Sequence, residues 1–135
     1  MFETPENIIK EISVQQVIQD WGRLYRQERL SCTPTNNTHW YANEFTCASL
    51  FWRSPYKARI KGTVTRPEYR GFGYGSTMLH YLINVVQERA NELNHTIHLE
   101  SYARNPKWYL ANGFSVDRIT PWGVTVVERD IHGRN

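Results

Sequence analysis

Three alternating glycines constrain the fold of this chain more than any other feature. They lie in the run Arg70-Gly71-Phe72-Gly73-Tyr74-Gly75, between a stretch of strand-forming residues and a helical pattern. Because glycine tolerates positive φ angles, alternating glycines allow successive backbone N–H groups to point into one concavity. The start of a helix adds further N–H donors and a positive dipole end. The run therefore predicts a strand–loop–helix unit that binds a phosphate group.

The spacing of this loop disfavours two common phosphate-binding motifs. A P-loop requires a Lys followed by Ser or Thr after its glycines, and no such pair follows here. The dinucleotide fingerprint G-x-G-x-x-G requires glycine at position 76, which is Ser76, and it should follow the first strand of a parallel unit. A turn that only connects a strand to a helix commonly contains one glycine, but it does not explain three alternating glycines.

Hydrophobic periodicity predicts the elements before the loop. They are a helix over residues 14–30, a polar loop over 31–38, and three antiparallel strands between 39 and 65, the third being Lys57–Thr65. Ser13 and Gln16 have capping-box spacing at the start of the helix. For residues 8–12 the pattern fits two assignments, a short edge strand or part of a helix that begins near Thr4-Pro5-Glu6.

The pattern after the loop predicts a further mixture of helices and strands. The expected elements are a helix over 76–93, a strand over 96–102, a short helix over 106–112 closed by Gly113, and a hairpin of 114–119 with 124–129. The whole order indicates a mixed α/β protein built around one sheet.

Composition limits the class of protein. A chain of 135 residues suffices for one domain with its own core. The two cysteines, Cys32 and Cys47, have no metal-type spacing and indicate no disulfide framework, although one bridge between them stays open. No apolar run approaches the ~20 residues that span a bilayer, and no secretory pattern is present, so we expect a cytoplasmic protein without a membrane partner.

The charge is weakly basic, with a formal net charge of +3 and a pI of about 9.0. Twelve of the sixteen cationic residues are arginine, which favours bidentate contact with phosphate or carboxylate groups. They are scattered from Arg23 to Arg134 without a dense run. This distribution favours one anionic cofactor, and a nucleic-acid-binding module is kept as a separate hypothesis.

The glycine loop resembles the pyrophosphate-binding motif of the GCN5-related N-acetyltransferases (GNAT family), which reads Q/R-x-x-G-x-G/A at a strand-to-helix junction. Arg70, Gly73 and Gly75 match it. A second stretch, from Leu99-Glu100 to Asn105 and then from Tyr109 to Gly113-Phe114, is similar to a later motif of the family. The two matches cover residues 57 to 114 or so and occur in the family's order.

The resemblance implies an acyl-CoA N-acyltransferase fold, with a single mixed, mostly antiparallel splayed sheet flanked by helices, and acetyl-CoA as the acyl donor. Loop N–H groups would hold the pyrophosphate, the backbone of Val64 would polarise the thioester carbonyl, Asn105 would contact the pantetheine arm, and Tyr109 would protonate the leaving sulfur. The implied cofactor-binding set is Val64, Thr65, Arg70, Gly71, Phe72, Gly73, Tyr74, Gly75, Ser76 and Asn105. Asn105 and Tyr109 lie about one helical turn closer together than is usual in the family, which weakens the case for Asn105.

The general base is less well defined, since Lys57 to Arg66 contains no acidic residue where the family often has a glutamate. On the next strand, His98, Glu100 and Tyr102 alternate and therefore share one face. We expect Glu100, then His98, to accept the amine proton, although a solvent-facing polar side would show the same pattern. Glu44 is a more distant candidate for the base.

Lys57, Arg59 and Lys61 also alternate, so this cationic face is expected to be exposed or to meet an anion, such as an acidic acceptor.

On this resemblance, we expect one acetyltransferase domain over residues 1–135. Residues 1–44 would form the acceptor side, 45–114 the acetyl-CoA-binding core, and 115–135 a C-terminal hairpin. The predicted reaction is direct transfer of an acetyl group to a primary amine of a small molecule, a protein or a nucleic acid, by a monomer or homodimer without a metal. The alternative is an acetyl-CoA-binding regulatory or interaction protein without catalysis.

Overall fold

The structure is a computed structural model that describes residues 8–134. In chain order its elements are β1 (Lys10–Ile12), α1 (Val14–Gln27), β2 (Thr38–Ala42), β3 (Thr46–Ser54), β4 (Lys57–Thr65), a 3₁₀ turn (Pro67–Tyr69), α2 (Tyr74–Leu93), β5 (Ile97–Ala103), α3 (Pro106–Leu110), β6 (Ser115–Ile119) and β7 (Thr125–Ile131). The strands of this described part follow one another in the order β1-β2-β3-β4-β5-β7-β6. The predicted mixed sheet flanked by helices is thereby confirmed.

The pairs β1–β2, β2–β3, β5–β7 and β6–β7 are antiparallel, whereas β4 and β5 pair in parallel. That parallel pairing joins Lys57–Ile60 to His98–Ser101. Both strands continue past it, β4 to Thr65 and β5 to Ala103. The last paired residues of this stretch are therefore Ile60 and Ser101.

The chain forms two compact units. In the first, described over residues 8–51 and 62–83, α1 buries its apolar stripe in a cluster that contains Val17, Trp21, Tyr25, Trp40, Ala42, Cys47 and Val64. The Ser13 side chain accepts a hydrogen bond from the Gln16 N–H at 3.1 Å, so the predicted helix start is confirmed. Cys32 and Cys47 are both free thiols.

The second unit, described over residues 52–61 and 84–134, contains β5, α3 and the β6–β7 hairpin. Its fully buried residues include Ala58, Val86, Ala90, Ile97, Leu99, Val126 and Val127. Ile97 and Leu99 alternate with the polar residues of β5, as strand geometry predicts. The hairpin is also as predicted, with a bulge between Val116 and Arg118.

Three boundaries add to or correct the prediction. Helix α2 begins at Tyr74 rather than Ser76, so the end of the glycine run belongs to its first turn. The turn at Pro67–Tyr69 was not predicted, although proline at a first helical position fits it. The open segment 8–12 contains an edge strand, since Lys10–Ile12 pairs with β2; the competing helix start at Thr4–Glu6 lies outside the described residues.

Candidate active site

The glycine loop is held open by backbone conformation. Gly71 and Gly73 have φ angles of +85° and +86°, in the left-handed region that favours glycine. A Cβ at either position would have no described heavy atom within 4 Å beyond its chain neighbours. Helix α2 starts directly after Gly73, whose carbonyl accepts hydrogen bonds from the Thr77 N–H at 3.0 Å and the Thr77 Oγ1 at 3.1 Å. The first-turn N–H groups of such a helix have no intrahelical partner, which suits an anion.

Aromatic rings support this loop within the first unit. The Phe45 ring, just before β3, stacks on Tyr74 with centroids 4.2 Å apart and meets the Tyr69 ring edge-on at 4.6 Å. By contrast, Phe72 at the loop tip is 72% exposed. The loop is therefore anchored at the start of α2 and open at its tip.

Arg70 connects the loop to the rest of the first unit. Its Nε donates to the Thr65 carbonyl at 3.1 Å, and its Nη2 donates to Glu28 Oε1 at 2.6 Å. The guanidinium thus forms hydrogen bonds with other residues of the same chain. The Arg70 backbone N–H also donates, to the Pro67 carbonyl at 3.3 Å, so the described contacts of Arg70 hold the loop in shape.

The end of β4 precedes the loop and carries Val64 and Thr65. The Val64 side chain is buried, and its carbonyl accepts a hydrogen bond from Thr46 Oγ1 at 2.9 Å. Thr65 Oγ1 lies 3.4 Å from the same Thr46 hydroxyl. The first unit therefore brings together Val64, Thr65 and the predicted loop residues.

Tyr109 lies on α3 in the second unit and is 7% exposed. Its ring packs edge-on against Trp108 and Phe114, with centroids 4.8 and 5.3 Å away. The Tyr109 hydroxyl accepts a hydrogen bond from Ser101 Oγ at 3.0 Å, and Ser101 Oγ also lies 3.2 Å from the Ile60 carbonyl. Since Ile60 and Ser101 are the last residues paired between β4 and β5, the hydroxyl lies where that pairing ends.

The Tyr109 hydroxyl is protonated at neutral pH. Burial raises the pKa of Tyr109 above its usual value of 10.0, and the hydrogen bond from Ser101 opposes this shift without cancelling it. The Tyr109 phenol can therefore act as a proton donor.

Glu100 lies beside Ser101 on β5 and binds two arginines. Its Oε1 accepts hydrogen bonds from Arg59 Nε at 3.1 Å, Arg59 Nη2 at 2.9 Å and Arg53 Nη1 at 3.2 Å. The Arg59 guanidinium also lies 4.5 Å from the centroid of the Tyr102 ring. The anion that the cationic face meets at Arg59 is thus a carboxylate of the same chain.

Burial of Glu100 favours its neutral form, but the hydrogen bonds and charges of Arg59 and Arg53 outweigh this effect. The pKa of Glu100 consequently lies below its ordinary value of 4.5. The group is an ionised carboxylate at neutral pH.

His98 faces two carboxylates of β7. Its Nδ1 lies 2.9 Å from Asp130 Oδ1, and its Nε2 lies 3.3 Å from Glu128 Oε2. A neutral imidazole carries one N–H and can donate to only one of them. The second unit therefore places His98 and Glu100 on one face of β5, and Tyr109, through Ser101, on the other.

Asn105 caps α3 by position, with no hydrogen bond from its side chain to the helix backbone, and it is exposed.

Sequence patterns did not identify two residues that contact Tyr109 and Glu100. Ser101 is a polar residue on the otherwise apolar side of β5, and that irregularity could have identified it. Arg53 lies 47 residues before Glu100, and no local pattern links the two.

A cavity of ≈ 660 Å³ lies in the first unit. It is lined by residues of β1, of the first half of α1 and of the β2–β3 turn, among them Glu11, Gln16, Asp20 and Glu44. All of its lining residues fall within 8–44. No helix of the described residues is long and apolar enough to cross a membrane.

Several solved structures resemble this one. GCN5 from Tetrahymena gives a TM-score of 0.66 at 15% identity, with 90% of each chain covered. The ribosomal-protein-S18-alanine N-acetyltransferase from Escherichia coli gives 0.63 at 16% identity, covering 95% of this chain and 96% of that one. At such identities the likeness establishes the fold.

A third similar structure, N-acetylglutamate synthase from Neisseria gonorrhoeae, was solved with coenzyme A and N-acetyl-glutamate. Its TM-score is 0.65 at 15% identity, and the match covers 93% of this chain but 35% of that one. This chain thus corresponds to about a third of the synthase.

Sequence comparison gives an independent result. No curated protein matches the chain significantly. The profile of the family described as "Acetyltransferase (GNAT) domain" matches residues 35–116, which is more than half of the 135 residues. The chain belongs to the GNAT family of acetyltransferase domains.

Proposed function

We propose that this protein transfers an acetyl group from acetyl-CoA to a primary amine by direct attack. The observation that carries the proposal is the buried Tyr109 hydroxyl at the point where β4 and β5 stop pairing. A phenol held there by Ser101, and protonated at neutral pH, is suited to donate a proton to a leaving thiolate.

The glycine loop supports binding of the CoA pyrophosphate. Positive φ at Gly71 and Gly73, together with the start of α2, favours an anion at the backbone N–H groups that follow Arg70, whose own N–H donates to the Pro67 carbonyl. The open space at the two glycines fits a ligand, since no other described part of the chain fills it. Acetyl-CoA would supply the activated thioester. The backbone of Val64, with Thr65 beside it, would polarise the thioester carbonyl, and Asn105 would contact the pantetheine arm.

We further propose Glu100 as the group that accepts the amine proton, directly or through a water. Adjacent residues of a strand point to opposite faces, so Glu100 and the Ser101–Tyr109 pair lie on opposite sides of β5. Since the amine nitrogen and the sulfur are bonded to the same carbon during transfer, a bridging water would carry the amine proton to Glu100. As the new C–N bond forms and the C–S bond breaks, the amine proton passes to Glu100 and the Tyr109 proton to sulfur.

His98 remains the second choice for the base. It is three residues from Ser101, or ~10 Å along an extended strand. Both of its ring nitrogens already face carboxylates.

The domain assignment made from the sequence becomes part of this proposal. Residues 45–114 would bind acetyl-CoA, and the cavity formed by residues within 8–44 would belong to the acceptor side. A structural relative is named for the alanine of ribosomal protein S18. Peptides with an N-terminal alanine therefore belong among the acceptors to be tested.

A CoA-release assay over peptides, polyamines, aminoglycosides and tRNA tests the function. We expect release with at least one amine. Tyr109→Phe should lower turnover about 10²-fold or more, as for loss of a general acid, while the Kd for acetyl-CoA stays within about twofold. Full turnover of Tyr109→Phe would remove the proposed acid.

One observation favours the alternative, an acetyl-CoA-binding protein without catalysis. Glu100 is held by two arginines and is a weak base. On this alternative, acetyl-CoA raises the Tm while no amine in the panel releases CoA.

A further inference from the structure

Ser101 has one hydroxyl hydrogen and two acceptors within reach. The Tyr109 oxygen lies 3.0 Å away and the Ile60 carbonyl 3.2 Å away. Ser101 is 3% exposed, so bulk water does not compete freely for this hydrogen. The hydroxyl can therefore rotate between a carbonyl of β4 and the phenol of α3.

The direction of the hydrogen bond matters for Tyr109. Because the phenol oxygen accepts from Ser101, its own hydrogen is left for another acceptor. When that hydrogen departs, the oxygen becomes negative, and a hydrogen bond to a charged oxygen is stronger than one to a neutral carbonyl. The Ser101 hydrogen would then favour Tyr109 over Ile60.

We propose that Ser101 is the positioning residue of the acid Tyr109, orienting its hydroxyl and stabilising the tyrosinate that remains after proton transfer. This inference rests on the proposed function for its catalytic part. Its structural part, the hydrogen bond to the phenol, stands on the geometry alone.

The test is Ser101→Ala, with Ser101→Thr as the variant that retains a hydroxyl. With the amine identified by the CoA-release assay, Ser101→Ala should lower kcat about tenfold or more, leave the KM for acetyl-CoA within about twofold, and be largely rescued by threonine. In the Tyr109→Phe background, Ser101→Ala should cause no further loss. An equal loss in both backgrounds would overturn the proposal, because it would indicate a purely structural role.

A second measurement does not depend on turnover. In protein labelled at the tyrosine ring, the Tyr109 NMR signal is assigned by its absence in Tyr109→Phe and is titrated with pH. Ser101→Ala should raise the pKa of Tyr109, because the bond that favours the tyrosinate is lost. Ser49→Ala, a change at a buried serine of β3, is the matched control and should leave the titration unchanged.

The two proposals fail in different ways. An unshifted Tyr109 titration in folded Ser101→Ala overturns the role of Ser101, whatever the activity. If Ser101→Ala does not fold, Ser101→Cys, with its weaker donor, takes its place under the same criteria. Absence of CoA release by the wild type overturns the proposed function and the catalytic part of this inference together. Full turnover of Tyr109→Phe removes the proposed acid, and with it the catalytic part of this inference, while acetyl transfer stands.

Discussion

At the scale of single residues, the glycine loop depends on backbone angles more than on packing. Gly71 and Gly73 have positive φ, yet a side chain at either would meet open space among the described atoms. Larger residues are therefore disfavoured by conformation rather than by a clash. Under the proposed function, this conformation directs the loop N–H groups to a pyrophosphate.

We expect Gly73→Ala to weaken acetyl-CoA binding about tenfold. Holding alanine in the left-handed region costs ~1–2 kcal/mol, so the loop relaxes in the free protein and this energy must be supplied on binding. Titration calorimetry measures the change in Kd.

Gly22→Ala is the matched control. Gly22 lies inside α1, has no positive φ, and its added Cβ would have its nearest contact at 3.6 Å, an ordinary van der Waals distance. We expect unchanged affinity and a gain of ~0.5–1 kcal/mol in unfolding free energy. Wild-type affinity in Gly73→Ala would mean that the conformation of Gly73 is not needed for binding.

Sequence patterns located candidate residues better than they identified their partners. Strand alternation predicted that His98, Glu100 and Tyr102 share a face, because that period is local. That Glu100 binds Arg53 and Arg59 depends on the pairing of distant segments. The cationic face was identified without the carboxylate that it meets.

At the scale of elements, Glu100 connects three strands. It lies on β5 and binds Arg59 of β4 and Arg53 of β3, with only 6% of its side chain exposed. Removing one member of such a cluster leaves charges without their partner. The carboxylate should therefore stabilise this part of the sheet, besides any role in proton transfer.

We expect Glu100→Gln to lower the unfolding free energy by ~1–3 kcal/mol at neutral pH. The folded-state pKa of Glu100 lies below 4.5, so its contribution is fully present above about pH 4.5 and is lost as the pH falls through the lower folded value. Urea unfolding of both proteins from pH 7 downward should show a constant difference that shrinks only in this acidic range.

Glu92→Gln serves as the comparison for this experiment. Glu92 and Arg89 form an exposed pair at 3.5 Å on α2, and such pairs contribute ~0–1 kcal/mol. A Glu100→Gln difference as small as that of Glu92→Gln would contradict the structural role of the cluster.

Element types were predicted well where their signals were local. The Ser13 cap and the apolar stripe of α1 lie within a few turns of each other, and they predicted the helix correctly. The start of α2 was predicted two residues late, because glycine is a poor helix former and Gly75 nevertheless lies in the first turn. Tyr74 stacks on Phe45, a tertiary contact that helix propensity does not include.

At the scale of the whole molecule, the family was predictable because two short motifs occur in a set order. The strand order was less accessible, since the parallel pairing of β4 with β5 and the placement of β7 between β5 and β6 involve distant segments. The acceptor is still harder to predict from the sequence. The cavity proposed for it is lined by β1, α1 and the β2–β3 turn, and no sequence motif connects these segments.

The pH dependence of turnover discriminates between the two candidate bases. Glu100 is already ionised at neutral pH and Tyr109 is still protonated, because their pKa values lie below 4.5 and above 10.0. With both acting, kcat at saturating acceptor should vary little between about pH 6 and 9, once ionisation of the bound amine is allowed for. A histidine base would instead make kcat change with pH within this range.

Paired variants complete this experiment. Glu100→Gln should lower kcat by about 10²-fold, the low end of general-base effects, because a carboxylate with a depressed pKa is a weak base. His98→Gln should leave kcat within about threefold, since a side chain engaged with Asp130 and Glu128 contributes mainly to packing and charge pairing on β5 and β7. The reverse pattern, a large loss in His98→Gln together with a kcat that changes with pH in this range, would assign the base to His98.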